Sequence, residues 1–288
     1  LIQTNTGRWL PIIATITLCT GFADPATAAA KPKSASPQGI RSNAILVLDE
    51  SNDRTLMARR ADQAAPIASI TKLMTALVVL EADQPMGELL AIRREAAGNA
   101  SSVVSRLRIG SRLSRTDLIH LALMSSENRA AYTLASHYPG GVEAAVQAMN
   151  AKARQLGMKT AHFADPAGLS SNNVASATDL VKLVNAASAN ATIRSFSTDN
   201  EYSVVLAGRT VEFRNTNSLV ANPSWDIVLQ KTGYISAAGR CLVMKTVIEG
   251  RTIVMVLLDS FGKYTRVADA KRIRDWLVAS IKAKSAPA

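Results

Sequence analysis

Three short clusters of polar residues have the types and spacing to do chemistry together. In Pro66-Ile67-Ala68-Ser69-Ile70-Thr71-Lys72-Leu73-Met74 a serine is delivered to the first turn of an apolar helical run, and a lysine follows on the same face, one turn along. A serine hydroxyl is a poor nucleophile at neutral pH and needs a neighbouring base. A lysine partly desolvated against Leu73, Met74 and Leu77 has a lowered pKa and can be that base. Taken alone, a serine N-cap followed by a solvent-facing lysine accounts for the pattern as well. The chain even repeats it at Ser260-Phe261-Gly262-Lys263, after a β-like run and with a glycine that opposes a helix start. The second cluster, Ser126-Glu127-Asn128, lies in a break between two helical stretches. S-x-N recurs at Ser170, Ser171 and Ser188, and by itself it reads as a helix cap. The third, Lys231-Thr232-Gly233, closes a strand-like run and is the one K-T-G in the chain. A glycine there lets another backbone or a ligand come close, although an ordinary strand end has the same look.

Positioning these groups falls to elements of two kinds. Residues 31–39 read as a linker, 44–48 and 55–59 as a hairpin, and 69–81 as the first helix. Ser114-Arg115-Thr116-Asp117 caps a second helix, and helical spacing resumes at 128–136 and 141–156, the latter ending at Gly157. Asp165-Pro166-Ala167-Gly168-Leu169 is a compact turn, and Ser176-Ala177-Thr178-Asp179 opens a helix over 180–189. Beyond about residue 200 the pattern turns to strands at 201–206, 210–213, 225–231, 240–248 and 252–259, before a closing helix at 267–284 striped with Ile273, Trp276, Leu277 and Ile281. Strands at both ends and helices between them predict an α/β (α+β) fold. One antiparallel sheet would be built from both termini, with a helical lobe at about 66–200 inserted and a cleft between the two.

Bulk properties narrow the setting. The chain has 288 residues, 48% hydrophobic, with formal charge +11 and pI near 10.0. Aromatics are only 5%, which leaves little for base stacking and opposes a nucleic-acid partner. The charge suits a solvated basic surface or attraction to an anionic polymer. Arg8, the apolar run 9–22 and Ala26-Thr27-Ala28-Ala29-Ala30-Lys31 make an n-region, an h-region and an A-x-A cleavage signal, so residues 1–30 are expected to be a signal peptide. An uncleaved anchor is the weaker alternative, since a span takes about 20 apolar residues. Cys19 would leave with the signal; Cys241 then stands alone and reads as a buried, inert thiol. His120, His137 and His162 are dispersed, so no metal or other cofactor is implied, and no G-x-S-x-G elbow surrounds any serine.

The order S-x-x-K, S-x-N, K-T-G resembles the set shared by class A β-lactamases and penicillin-binding proteins. Over about residues 43–281 the chain is similar to the low-molecular-mass penicillin-binding proteins, the serine D,D-peptidases, and most of all to the penicillin-binding protein 7 type, the D-alanyl-D-alanine endopeptidases. The stretches that carry the likeness are Leu123-Met124-Ser125-Ser126-Glu127-Asn128-Arg129-Ala130-Ala131, Phe163-Ala164-Asp165-Pro166-Ala167-Gly168-Leu169, Phe213-Arg214-Asn215-Thr216-Asn217 and Lys231-Thr232-Gly233-Tyr234. The resemblance implies a β-lactamase/transpeptidase-like fold and a role for each residue. Ser69 would attack a D-alanine carbonyl and become an acyl-enzyme, with Lys72 taking its proton. Ser126 would relay a proton to the leaving amine, and Asn128 would hold Lys72 and the substrate backbone. Lys231 would add positive charge, and Thr232 would bind the substrate carboxylate. The N–H groups of Ser69 and Tyr234 would form the oxyanion hole beside Gly233. Arg266, placed by position after the last strand, would be a further carboxylate contact. Glu127 stands where Asp or Gly is commoner, a position expected to contribute backbone shape more than charge.

The implied partners are peptidoglycan stem peptides, with β-lactams as covalent inhibitors and the periplasm as the compartment, the enzyme loosely held at membrane or wall by its charge. A class A β-lactamase would need a deacylating Glu in an E-x-x-x-N-type loop. Glu143, Glu201 and Glu212 lie in the right interval, and none has Asn four residues on. Intact Ser69, Lys72, Ser126, Asn128 and Lys231 oppose a non-catalytic sensor. The chain stops soon after its last helix, without the C-terminal β domain and anchoring helix frequent in the carboxypeptidases. That favours the endopeptidase over the carboxypeptidase as an expectation.

Overall fold

The computed structural model describes residues 1–3, 37–93 and 105–285. The expected signal peptide and most of the linker fall in 4–36, outside the described residues. Two compact units are distinguished, Leu1–Ala35 and Ser36–Ala288, and the second holds all that follows.

Its strands and helices run in chain order as β1 (Ser42–Asp49), β2 (Arg54–Arg59), β3 (Ala65–Pro66), a 3-10 turn (Ala68–Ile70), α1 (Thr71–Glu81), β4 (Leu89–Ala91) and β5 (Arg112–Ser114). Then come α2 (Arg115–Met124), α3 (Asn128–Ser136), α4 (Gly141–Gln155), β6 (Val174–Ala175), α5 (Ala177–Ala189) and α6 (Ala191–Thr198). The chain closes with β7 (Glu201–Leu206), β8 (Arg209–Arg214), β9 (Asp226–Ile235), β10 (Gly239–Ile248), β11 (Arg251–Ser260) and α7 (Thr265–Ser285). The main sheet is antiparallel, in the order β2-β1-β11-β10-β9, so a strand from the start of the unit pairs with the last strand, Ala44 opposite Leu258 and Leu48 opposite Val254.

Both faces of this sheet are covered, and the sequence shows why. Along β1, Ala44 and Leu46 join the core shared with α1–α6, while Ile45 and Val47 join the core under α7 with Ile273 and Leu277. β11 divides the same way, Val254, Val256 and Leu258 to one side and Ile253, Met255 and Leu257 to the other. Period-2 alternation with an apolar residue at every step is the pattern of a strand buried on both sides.

Local signals set several boundaries. Ser114 and Asp117 form a reciprocal capping box on α2, and Ser176 accepts from the Asp179 amide at the start of α5. Turn residues differ from the expectation. Arg209 and Arg251 belong to strands, leaving two-residue turns at Ala207-Gly208 (φ +49° and +76°) and Glu249-Gly250 (φ +48° and +73°). Positive φ at both central residues is the type I′ geometry that matches strand twist. The sequence reading also lacks α6 and the short pairs β3–β6 and β4–β5.

Candidate active site

Ser69 sits in the 3-10 turn, and α1 proper begins two residues later, at Thr71, not at Ser69 as expected. Ala68, the residue before Ser69, has a φ of +49°, in the left-handed region. The Thr71 hydroxyl donates to Ala68 O at 2.8 Å, which holds this strained residue. From the other side, Gly168 presses its backbone on the same peptide: a Cβ there would lie 1.9 Å from Ala68 O.

Lys72 is fully buried, and its Nζ reaches three oxygens: Ser69 Oγ at 2.6 Å, Asn128 Oδ1 at 2.7 Å and Ala167 O at 2.7 Å. Burial lowers its pKa from 10.5 to about 7, against the opposing pull of Asp165 and Glu127. A neutral amine keeps two N–H donors and one lone pair. With the N–H groups on Asn128 and Ala167, the lone pair is left for the Ser69 hydroxyl. This geometry, with a pKa near neutrality, is what a general base beside Ser69 would need.

The carbonyl of Ala167 is held by Asp165, which is nearly buried. One carboxylate collects the amides of Ala167 (2.7 Å), Gly168 (2.6 Å) and Ser170 (2.7 Å), together with Asn173 Nδ2 at 2.7 Å. The Thr75 hydroxyl adds a bond to Pro166 O at 2.6 Å, so the turn is anchored directly to α1.

Ser126 and Asn128 come from the break between α2 and α3. Ser126 has φ +61°, and its hydroxyl has no hydrogen-bond partner among the described residues. Glu127 does more than shape the backbone. Its carboxylate caps α3 through the Arg129 amide at 3.3 Å, accepts from Ser105 Oγ at 2.5 Å and raises the Lys72 pKa. The charge therefore acts beside the backbone shape that the position was expected chiefly to contribute.

Lys231, Thr232, Gly233 and Tyr234 lie inside β9, which runs on to Ile235; K-T-G does not end the strand, because Thr232 and Tyr234 still pair with Leu242 and Arg240 of β10. Lys231 is fully buried and donates to Thr232 O at 3.0 Å. Burial pushes its pKa well below the usual lysine range, and the positive charges of Lys72 and Arg266 push the same way. Thr232 shares a 2.6 Å hydroxyl–hydroxyl bond with Thr216, whose amide donates to Met124 O at the end of α2. This tie between β9 and the Ser126 break was not foreseen, although Thr216 stood in a stretch already singled out. A Cβ on Gly233 would come within 2.8 Å of Ile67 O and 3.2 Å of Ser69 N, so the strand runs directly against the nucleophile turn. Tyr234 is half exposed, with the Arg240 guanidinium 4.4 Å above its ring. Arg266, in the first turn of α7, is nearly buried and its Nε has no partner among the described residues. Burial, with Arg240 nearby, lowers its pKa.

The second S-x-x-K takes no part. Ser260 is buried against Ser42 Oγ at 2.7 Å, and Lys263 lies over the Tyr264 ring. His120 is stacked between Phe196 and Tyr202, His137 bonds Thr133 O, and His162 bridges Val174. Cys241 is buried, and burial pushes its thiol up to about 12. No described helix is long and apolar enough to cross a membrane.

Known proteins carry the same pattern. The family model for peptidase S11, D-alanyl-D-alanine carboxypeptidase, matches residues 31–262. The chain is 46% identical to a D-alanyl-D-alanine endopeptidase of Pseudomonas aeruginosa, over 92% of this chain and 87% of that one. It is 45% identical to the protein of that name from Escherichia coli, over 90% and 85%. Among solved structures, the Streptomyces K15 DD-transpeptidase superposes with a TM-score of 0.78 at 25% identity, covering 85% of this chain and all of that one. The family model spans most of the chain and relatives of 45–46% identity cover most of both chains, so the chain belongs to the S11 family of serine peptidases.

Proposed function

We propose that this enzyme is a serine D,D-endopeptidase that cuts crosslinks between peptidoglycan stem peptides through an acyl-enzyme on Ser69. The observation that carries the chemistry is the 2.6 Å contact between a buried lysine of pKa about 7 and the Ser69 hydroxyl. Ser69 Oγ attacks the D-alanine carbonyl as its proton passes to Lys72. The amides of Ser69 and Tyr234 receive the oxyanion, with Gly233 leaving room for the approach. The C–N bond breaks, and the proton reaches the leaving amine by way of Ser126. Water then attacks the ester and restores Ser69. Asn128 keeps Lys72 aligned. Lys231, Thr232 and Arg266 supply the donors and positive charge that a substrate carboxylate needs. A β-lactam, whose strained amide takes the place of the peptide bond, acylates the same serine.

Endopeptidase is preferred over carboxypeptidase because the relatives so named are 45–46% identical, whereas relatives named carboxypeptidases stand at 29% and 26%. The N-terminal 30 residues serve as a signal peptide for export to the periplasm, and the +11 charge holds the enzyme loosely to the anionic wall. The test offers crosslinked muropeptide dimers beside pentapeptide monomers. Dimer splitting supports the reading; release of D-alanine from monomers alone makes the enzyme a carboxypeptidase. Labelled penicillin should attach to the wild type and not to Ser69→Ala.

A further inference from the structure

Beside the Ser126 break lies a cavity of about 600 Å³, lined by Arg106, Arg108, Ser111 and Arg209 with Ser105 and Val211. It is formed between the segment leading into β5 and the β7–β8 hairpin. Its inner wall is tied to the residues on either side of Asn128: Ser105 Oγ donates to Glu127, and the Arg129 guanidinium donates to Leu107 O at 2.5 Å. Arg106 is fixed, stacked 3.8 Å over the Phe213 ring and bonded to Glu212 O. Arg108 and Arg209 have no hydrogen bond or ion pair from their side chains among the described residues. Three guanidinium groups thus line one cavity, two of them uncommitted among the described residues, while the nearby carboxylates of Glu127 and Glu212 are occupied, the first by Ser105 and the α3 amide and the second by Arg214.

Guanidinium pairs bind carboxylates through parallel N–H donors, and they do so best where the fork is held in place. A crosslinked substrate differs from a monomer in bringing a second stem peptide, with free carboxylates of its own, past the scissile bond. An extended peptide advances about 3.3 Å per residue, so two to four residues of that second stem cover roughly 7–13 Å from the Ser126 break. We infer that the cavity of Arg106, Arg108 and Arg209 is a subsite for the carboxylates of the second stem peptide and selects crosslinked substrates. The inference rests on the endopeptidase reading.

The variants Arg108→Gln and Arg209→Gln, singly and together, leave Arg106 to hold the hairpin. The substrates are a crosslinked muropeptide dimer, the same dimer with its free carboxylates amidated, and benzylpenicillin. Losing two charge-assisted contacts should lower kcat/KM of the double variant on the native dimer by about tenfold or more. The amidated dimer should already be slow with the wild type and change little in the variant, and the acylation rate by benzylpenicillin should stay as it was. Equal kcat/KM of variant and wild type on the native dimer, or an equal loss on native and amidated dimers, overturns the subsite while leaving the endopeptidase reading in place. If the wild type splits no dimer, that reading fails first. Equilibrium binding of the native dimer to Ser69→Ala, with and without the two substitutions, then decides the subsite: affinity that depends on the arginines upholds it, and affinity that does not removes it.

Discussion

At the scale of residues, the proposed catalysis turns on one amine and its oxygens. A base of pKa about 7 loses its function as pH falls, because protonated Lys72 cannot accept from Ser69. Acylation by penicillin should therefore decline about tenfold per pH unit below neutrality. Glu127 raises that pKa, so Glu127→Gln, which keeps an acceptor for Ser105 and the α3 amide, should shift the acid limb to lower pH at low salt. An unmoved limb in stopped-flow acylation would show that the carboxylate is screened from Lys72. The groups proposed to react were legible in the sequence because the reaction restricts their types to a few side chains that carry a hydroxyl, a base or a carboxamide. Ala167 was not, because its part is played by a backbone carbonyl that any residue carries. Asp165 hid for a related reason: its carboxylate makes its hydrogen bonds to its own turn and Asn173, and it reaches Lys72 only through its charge.

At the scale of elements, the site depends on backbones packed without side chains between them. Gly168→Ala places a methyl carbon 1.9 Å from Ala68 O at a φ of +78°, so either the turn or the nucleophile must move. The expected outcome is loss of penicillin acylation by at least about 100-fold, with destabilisation on the order of 3 kcal/mol. Near-normal acylation rates and melting temperature would show that the two backbones are not held in register. Gly233→Ala meets Ile67 O at 2.8 Å and should act in the same direction more mildly. Long elements were readable from period and caps. α6 was not: Ala191–Thr198 is rich in Ser and Thr and stands as a helix through the Asn190 side-chain cap, at 3.2 Å from the Ile193 amide, and through its packing on α2 and β9. The close approach expected at the K-T-G glycine is that of the Ser69 turn on Gly233, but it falls inside β9, which pairs on through Ile235, and not at a strand end.

For the whole molecule, burying two lysines leaves a mark on stability. Lys72 and Lys231 both have folded-state pKa values below the ordinary 10.5. The unfolded chain then binds more protons than the folded one above about pH 7, and stability attributable to these groups rises with pH from there toward 10.5. Urea unfolding across that range should show this slope, and Lys72→Met with Lys231→Met should flatten it; an unchanged slope would assign it elsewhere. The architecture of a sheet closed from both ends around an inserted helical region was legible from element order alone, since strands buried on both faces write unbroken apolar runs. The tie of Thr216 to Thr232 and Met124 was not, because it joins segments whose spacing in sequence carries no periodic trace.

The pairing of β1 with β11 also gives the chain a timetable. Ser69 and Lys72 are made well before Lys231, Arg266 and the strand that completes the sheet, and Ser42 waits for Ser260. Contacts this distant in sequence form late in folding. An unfinished chain therefore carries Ser69 and Lys72 without the strand whose Gly233 packs against the Ser69 turn and without Lys231 beside them. On the proposed chemistry, covalent capture of penicillin becomes a clock for maturation, marking the moment when β1 and β11 meet.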